Sequence, residues 1–287
     1  DLPTDTLEEA SELLGEDVLQ LDSPQALHST RAVQLCLLIT GVAASRQLLQ
    51  DELTVDYVAG LSIGAYPAAV VAGALGFADA LKLVSLRGDL MQETYPQGYG
   101  MTAIIGLELA TVEGLLAQVH SAATPVYLAN INADNQCVIA GSDAAMQAVA
   151  ELARKQGAGM AKRLAVSVPS HCPMLAQPAQ ALAEAFAQVD MRLPRLAYLS
   201  GSCARPIRSV EALRDDLAFN MCRIVDWRGT VQGAYERGVR LQIELPPGAV
   251  LTGLARRVFA QGSVMAFAGA RLDTLQALLR EEGSRHS

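Results

Sequence analysis

The sequence predicts an α/β protein, a large domain with a parallel sheet into which a smaller subdomain is inserted. Three observations lead there. Residues 55–75, VDYVAGLSIGAYPAAVVAGAL, pass from a short apolar run through a glycine-flanked serine into an alanine-rich, helix-compatible stretch. Residues 101–165 alternate short apolar runs with helical patterns, and the strand-like runs LAYLSG and LQIEL recur between helices further on.

The first element, TDTLEEASELLG, reads as a short helix, with a threonine ahead of an acidic first turn and a glycine at its end. Residues 29–50, around the run AVQLCLLITGVAA, read as a buried helix. Strand, sharp turn and helix then follow at Gly60-Leu61-Ser62-Ile63-Gly64. This is the nucleophile elbow of α/β-hydrolase-like domains, in which glycines permit a tight backbone and hold a serine hydroxyl at the tip of a strained turn. Ser62 is the candidate nucleophile, and the Ile63 amide, at the start of the helix, is placed to donate to a developing oxyanion. Pro67, in the first helical turn, lacks only a donor that would be unpaired anyway.

A helix from Phe77 to Pro96 places Ala80, Val84, Arg87 and Met91 on one face, so an arginine shares the inward stripe. It can snorkel outward, pair with a structural carboxylate, or present its planar fork to a substrate carboxylate. Residues 101–165 read as strand, helix, strand, strand, helix, strand, with a turn at Asp134-Asn135. That is the split βαβ order of a ferredoxin-like subdomain, its last strand being AKRLAVSV. It divides the chain into a large α/β-hydrolase-like domain, 1–100 and 166–287, and a small subdomain, 101–165.

Ser167-Val168-Pro169-Ser170-His171-Cys172-Pro173 follows that strand and precedes the helical run MLAQPAQALAEAFAQV. A histidine near a helix start is kept neutral more easily, as a general base must be. His28, His120 and the tail residue His286 are badly placed, which leaves His171 as the base for Ser62. The strand LAYLSG, a helix from Val210 through LRDDLAFNMCRIVDW, another helix, and the strand LQIEL ending at Pro246-Pro247-Gly248 complete the chain. No carboxylate stands in a third-triad position.

The 287 residues, 51% of them hydrophobic, suffice for one large domain with an insertion. Five widely spaced cysteines, with no Cys-x-x-Cys pair, argue against a disulfide framework and a zinc site and favour a reducing compartment. No apolar run reaches membrane-spanning length, so no membrane partner and a cytoplasmic location are expected. A net charge of -8 offers no broad basic field for nucleic acid. Local basic pairs remain at Arg154-Lys155, Lys162-Arg163, Arg205 with Arg208, and Arg256-Arg257, any of which could meet an anionic cofactor or an acidic partner.

The sequence resembles the malonyl-CoA:acyl carrier protein transacylase family over nearly its whole length. The resemblance rests on GLSIGAYPAAVVAGAL followed by FADALKLVSLRGDLMQE, on NINADNQCVIAG, on SVPSHCPML and on ELPPGAVLTGL. It implies that Ser62 attacks a malonyl thioester, that His171 acts as base and then acid, and that Arg87 pairs with the malonyl carboxylate. It further implies that the main-chain carbonyl of Asn220 orients the histidine and that Ile63 supplies an oxyanion amide. Malonyl-CoA would be the donor and the phosphopantetheine-type thiol of an acyl carrier protein the acceptor, with no permanently bound cofactor and no metal. Leu61 stands where the family usually has histidine, and Pro246-Pro247-Gly248 replaces Gly-Pro-Gly. Leu61, the AYP after the elbow and the run YLANINADNQ point to the transacylase (epsilon) subunit of malonate decarboxylase, with other subunits of that enzyme as partners, ahead of the transacylase of fatty acid synthesis. A serine thioesterase or a non-catalytic carrier-docking subunit is the remaining alternative. The family opens with a strand ending in Phe-Pro-Gly-Gln-Gly, whose glutamine helps form the oxyanion hole, and the expectation is that this segment is missing ahead of Asp1.

Overall fold

The computed structural model describes residues 2–285; His286 lies outside them. Helix α1 (Thr4–Leu14) ends where Gly15 turns left-handed and its amide bonds the Ser11 carbonyl, but Pro3 holds the N-cap position and no threonine side chain caps the helix. Helix α2 (Thr30–Leu48) is capped by the Ser29 hydroxyl on the Ala32 amide and buries Leu35, Leu38, Ile39, Val42 and Ala43. Strand β1 (Tyr57–Ala59) runs into a 3-10 turn, Ser62–Gly64, and then into α3 (Ala65–Val71), which is shorter than its alanine-rich sequence suggests because Gly73 adopts φ 69°. Helix α4 (Phe77–Thr94) buries the stripe Ala80, Val84, Arg87 and Met91 against the same core as α2.

Next come β2 (Tyr99–Ile105), α5 (Leu109–Val119), β3 (Val126–Ala133), β4 (Gln136–Ser142), α6 (Asp143–Lys155) and β5 (Met160–Arg163). Asp134 and Asn135 make the β3–β4 hairpin, as their turn chemistry predicts. The strands pair antiparallel in the order β5-β2-β4-β3, the split βαβ arrangement. The last strand stops at Arg163; the expected continuation through Ser167 and Val168 is irregular chain, ending in the loop that carries His171. The remaining elements are α7 (Ala176–Phe186), β6 (Ala197–Leu199), α8 (Val210–Phe219), β7 (Val225–Asp226), α9 (Trp227–Glu236), β8 (Leu241–Glu244), α10 (Val250–Ala255), β9 (Ser263–Ala266) and α11 (Leu272–Arg285).

Two further features differ from the sequence expectation. The helix expected from Val210 through Trp227 breaks at Asn220, because Val225 and Asp226 pair in parallel with Asn130 and Ile131 and so add a fifth strand to the small sheet. Tertiary pairing here overrides the local helical pattern. The expected parallel sheet exists, among the described residues, as two separate parallel pairs, β1 with β6 and β8 with β9. A strand's sequence encodes which face is apolar, and only the ladder decides its neighbours.

Apolar packing follows these units. One cluster joins α1 to α4 with α7 and α8, and another, including Ile104, Val112, Ile139 and Val149, lies under α5 and α6. On the opposite face of the small sheet, Met101, Ala129, Val138 and Ala140 pack on Cys172 and Met174, so that sheet roofs the His171 loop. Among the described residues no helix is long and apolar enough to cross a membrane.

The elbow shows which glycine the turn requires. A Cβ on Gly60 would stand 1.9 Å from the Gly64 carbonyl carbon and 2.2 Å from the Ala65 nitrogen, whereas one on Gly64 would meet nothing within 4 Å. Gly64 is thus not needed for packing on its own account, contrary to its reading from sequence. Gly60→Ala is expected to destabilise by about 3 kcal/mol or more, since backbone atoms must move. Gly64→Ala, with φ of -58°, should leave the thermal midpoint nearly unchanged. Parallel thermal melts of the two variants check this, and equal losses would contradict it.

Candidate active site

The elbow, the arginine helix, the histidine loop and the broken end of α8 converge on one point. Ser62 sits at φ 56° and His171 at φ 63°, left-handed conformations that cost a non-glycine residue energy and are tolerated where the surroundings over-determine them. The Ser62 hydroxyl lies 2.8 Å from His171 Nε2, and His171 Nδ1 lies 2.8 Å from the Asn220 carbonyl oxygen. A carbonyl can only accept, so Nδ1 carries the proton and Nε2 is left to accept from the serine. The backbone amide of His171 also donates to the Met221 carbonyl, at 2.7 Å. The break in α8 explains why these carbonyls are available: the last carbonyls of a helix have no partner within it.

His171 is only 3% exposed. Burial pushes its pKa down to about 4, with the Arg87 charge adding to the shift and the Asn220 carbonyl opposing it. The sequence argument invoked the helix dipole; the main cause is desolvation. Either way the imidazole is neutral at pH 7 and can take a proton.

Arg87 is 1% exposed. Its Nη1 donates to Gln34 Oε1 at 2.6 Å, its Nη2 to Asn220 Oδ1 at 3.0 Å, and the same nitrogen stands 3.4 Å from the Ser62 hydroxyl oxygen. Its Nε is buried without a partner, and the guanidinium lies over the Tyr66 ring at 5.7 Å. Among the described residues no carboxylate pairs with it. Burial works against its charge, lowering its pKa from the ordinary value, with Tyr66 opposing the shift. Both structural alternatives for this arginine are therefore closed: it neither reaches solvent nor meets a protein anion.

Asn220 contributes more than its carbonyl, since its Nδ2 donates to the Ser62 carbonyl oxygen at 3.2 Å. One side chain thus links Ser62 and Arg87. Ile63, buried, is the second residue of the 3-10 turn Ser62–Gly64, whose first amides have no partner inside the turn. Leu61 faces away, packed in the cluster of Val225, Trp227 and Leu254.

The site also contains residues that the sequence reading did not select. Gln34, whose amide nitrogen contacts Met91 Sδ at 3.3 Å, holds Arg87 from α2. The signal was a glutamine in the otherwise apolar run AVQLCLL, because a buried amide needs partners. Tyr66 bonds the Leu217 carbonyl at 2.8 Å, and the buried Asp216 carboxylate accepts from Ser200 Oγ at 2.6 Å and Tyr198 OH at 2.9 Å. These bonds fix the end of α8 that presents Asn220. His28 and His120 lie outside the site and are exposed, with His120 bonded to the Val126 backbone.

A serine hydroxyl bonded to a neutral imidazole, with a cation beside it and no carboxylate paired to either among the described residues, can support covalent acyl transfer. Comparison with known proteins agrees. The acyl transferase domain family matches residues 5–281. The malonyl CoA-acyl carrier protein transacylase of Haemophilus influenzae is 36% identical over 260 residues, covering 88% of this chain and 83% of that protein. That of Escherichia coli K12 is 36% identical over 264 residues, covering 88% and 84%. The crystal structure of FabD from Acinetobacter baumannii superposes with a TM-score of 0.90 at 37% identity, covering 97% of this chain and 90% of that one. A malonyl-transacylase in complex with its type II polyketide acyl carrier protein gives 0.88 at 33% identity, covering 97% and 90%. This chain, an acyltransferase, belongs to the malonyl CoA-acyl carrier protein transacylase family.

Proposed function

We propose that the chain transfers a malonyl group from malonyl-CoA, through a malonyl ester on Ser62, to the phosphopantetheine-type thiol of an acyl carrier protein. The observation that carries this is the buried, anion-free guanidinium of Arg87, 3.4 Å from the Ser62 oxygen. A buried cation without an anion is costly, and a carboxylate brought in by the acyl group relieves that cost only in the substrate complex.

In the first half-reaction Ser62 Oγ attacks the thioester carbon while its proton passes to His171 Nε2. The Ile63 amide donates to the resulting oxyanion. Collapse expels the CoA thiolate, which takes the proton back from the imidazolium. The second half-reaction repeats these steps with the carrier's thiol as nucleophile and Ser62 as leaving group. Asn220 positions the base through its carbonyl and the arginine through its amide oxygen, in place of a triad acid.

Of the two settings weighed from the sequence, the names of the relatives favour the carrier protein of fatty acid synthesis over that of malonate decarboxylase. We propose a cytoplasmic location as well, which five cysteines without disulfides suit. The separate apolar core within residues 101–165 supports the division into a large domain and a small subdomain.

The test is the intact-protein mass after brief exposure to malonyl-CoA. The wild-type chain should gain one malonyl group, and Ser62→Ala should gain none. An adduct that persists in Ser62→Ala, or none in either, would remove this reading.

A further inference from the structure

A triad carboxylate does two things for its histidine: it holds the ring in one tautomer and orientation, and it stabilises the imidazolium that forms. Among the described residues no carboxylate bonds His171, and both tasks fall to the end of α8. The helix itself meets the second, because its carbonyl end favours positive charge. The first requires that end to be held still, although α8 breaks into a 3-10 turn at Asn220 and the last turn of a helix is where fraying sets in.

Asp216 stands one turn before Asn220, and its backbone carbonyl accepts the Asn220 amide. Its carboxylate is tied to β6: Ser200 Oγ donates at 2.6 Å and Tyr198 OH at 2.9 Å, and both of these residues are fully buried. The Ser200 hydroxyl accepts in turn from the amides of Ser202 and Cys203, at 3.1 and 3.2 Å, so its proton is committed to Asp216. A continuous path therefore runs from β6 through Asp216 to Asn220, from the Asn220 carbonyl to His171 Nδ1, and from Nε2 to the Ser62 hydroxyl. β6 is also the parallel neighbour of β1, the strand that delivers Ser62, so base and nucleophile are both referred to one pair of strands.

Stability gives little reason for an acid at this place. Asp216 is 5% exposed, and burial pushes its pKa up from the ordinary carboxylate range against the pull of its two hydroxyl partners. The neighbouring Arg223 bonds Asp215, and among the described residues Asp216 makes no ion pair. A satisfied buried polar group of this kind specifies geometry more than it adds stability.

We propose that Asp216 is a positioning residue for the general base, doing the orienting share of a triad acid's work at one remove by holding the carbonyl that holds His171. The proposal rests on the transacylase reading above and adds a residue to its machinery.

The test is single-turnover malonylation of Ser62 by malonyl-CoA in Asp216→Ala and Asp216→Asn of the full chain. Asp216→Ala should lower the maximal rate by about one to two decades, the cost of misplacing a reacting group by up to about 1 Å, while the malonyl-CoA concentration at half-maximal rate stays within about threefold of wild type. Asp216→Asn keeps the shape, can still accept from Ser200 and can donate to the Tyr198 oxygen, so it should stay within about fivefold. In a His171→Ala background, Asp216→Ala should cost less than about threefold, because a residue that acts through the base then has nothing to position. Tyr198→Phe removes one of the two bonds and keeps the ring; it should show the same pattern at about three- to tenfold, and it carries the test if Asp216→Ala does not fold. An undiminished rate in Asp216→Ala would overturn the proposal. So would equal fold losses with and without His171, the pattern of a merely structural residue, and equal losses in Asp216→Asn and Asp216→Ala, which would assign the effect to charge. Failure of the wild-type chain to form any malonyl-enzyme would instead remove the transacylase reading, and the role of Asp216 with it.

Discussion

His171→Ala should slow malonylation of Ser62 by about four to six decades, the range seen when a member of a serine–imidazole unit is removed. The geometry gives no second base: the Ser62 hydroxyl is bonded to Nε2 at 2.8 Å, and its other polar neighbour, Arg87, can only donate. The same residue sets the pH dependence. An ordinary imidazole, with a pKa near 6.5, would lose half its base form there; burial lowers His171 to about 4. The base form is lost as pH falls through the folded value, so kcat/KM for malonyl-CoA should hold steady from pH 7 through 6 and decline only on approach to 4. Stopped-time measurements of the malonyl-enzyme across this range decide it. A midpoint at 6 to 7 would show that the imidazole is solvated in the free enzyme, and a rate in His171→Ala within tenfold of wild type would assign the base elsewhere.

The sequence made the chemical residues legible because each breaks a local rule. Ser62 lies between glycines at a strand-to-helix switch, Arg87 on an apolar stripe, and His171 in a proline-bounded loop. What it did not disclose depends on contacts distant in the chain. Nothing local in LRDDLAFNMCRIVDW announces that the helix stops at Asn220; the cause is β3, some ninety residues earlier, which recruits Val225 and Asp226 as a strand. That break leaves the Asn220 carbonyl facing His171, and its role came from resemblance alone. The division of the parallel strands into two pairs was hidden for a related reason, since strand neighbours are a property of the assembled ladder. Gln34 was missed as one polar side chain in a run read as structural, although a buried amide in an apolar helix asks for a partner and found one in the arginine. The glycine-serine pattern was read correctly in kind and too generously in detail, because only Gly60 lacks room for a methyl group.

Arg87→Ala should reduce malonyl transfer by about two to three decades while leaving acetyl transfer within about fivefold, because a desolvated charge pair loses several kcal/mol when one partner is removed. The selectivity follows from what surrounds the guanidinium. Its partners in the free protein are Gln34 and Asn220, both neutral, and its Nε has none, so its charge is unanswered until an acyl group brings a carboxylate. Acetyl brings none and gains nothing from the cation. Some loss is nevertheless expected for acetyl, because Asn220 Oδ1 loses its donor and the same residue presents the carbonyl that holds His171. A second variant separates the two effects: Arg87→Lys keeps a charge but not the fork that spans Gln34 and Asn220, and should recover part of the malonyl preference without the full rate. Equal losses for malonyl and acetyl in Arg87→Ala would mean that the arginine only supports the site's architecture, and the case for a dicarboxylic acyl group would then have to rest elsewhere.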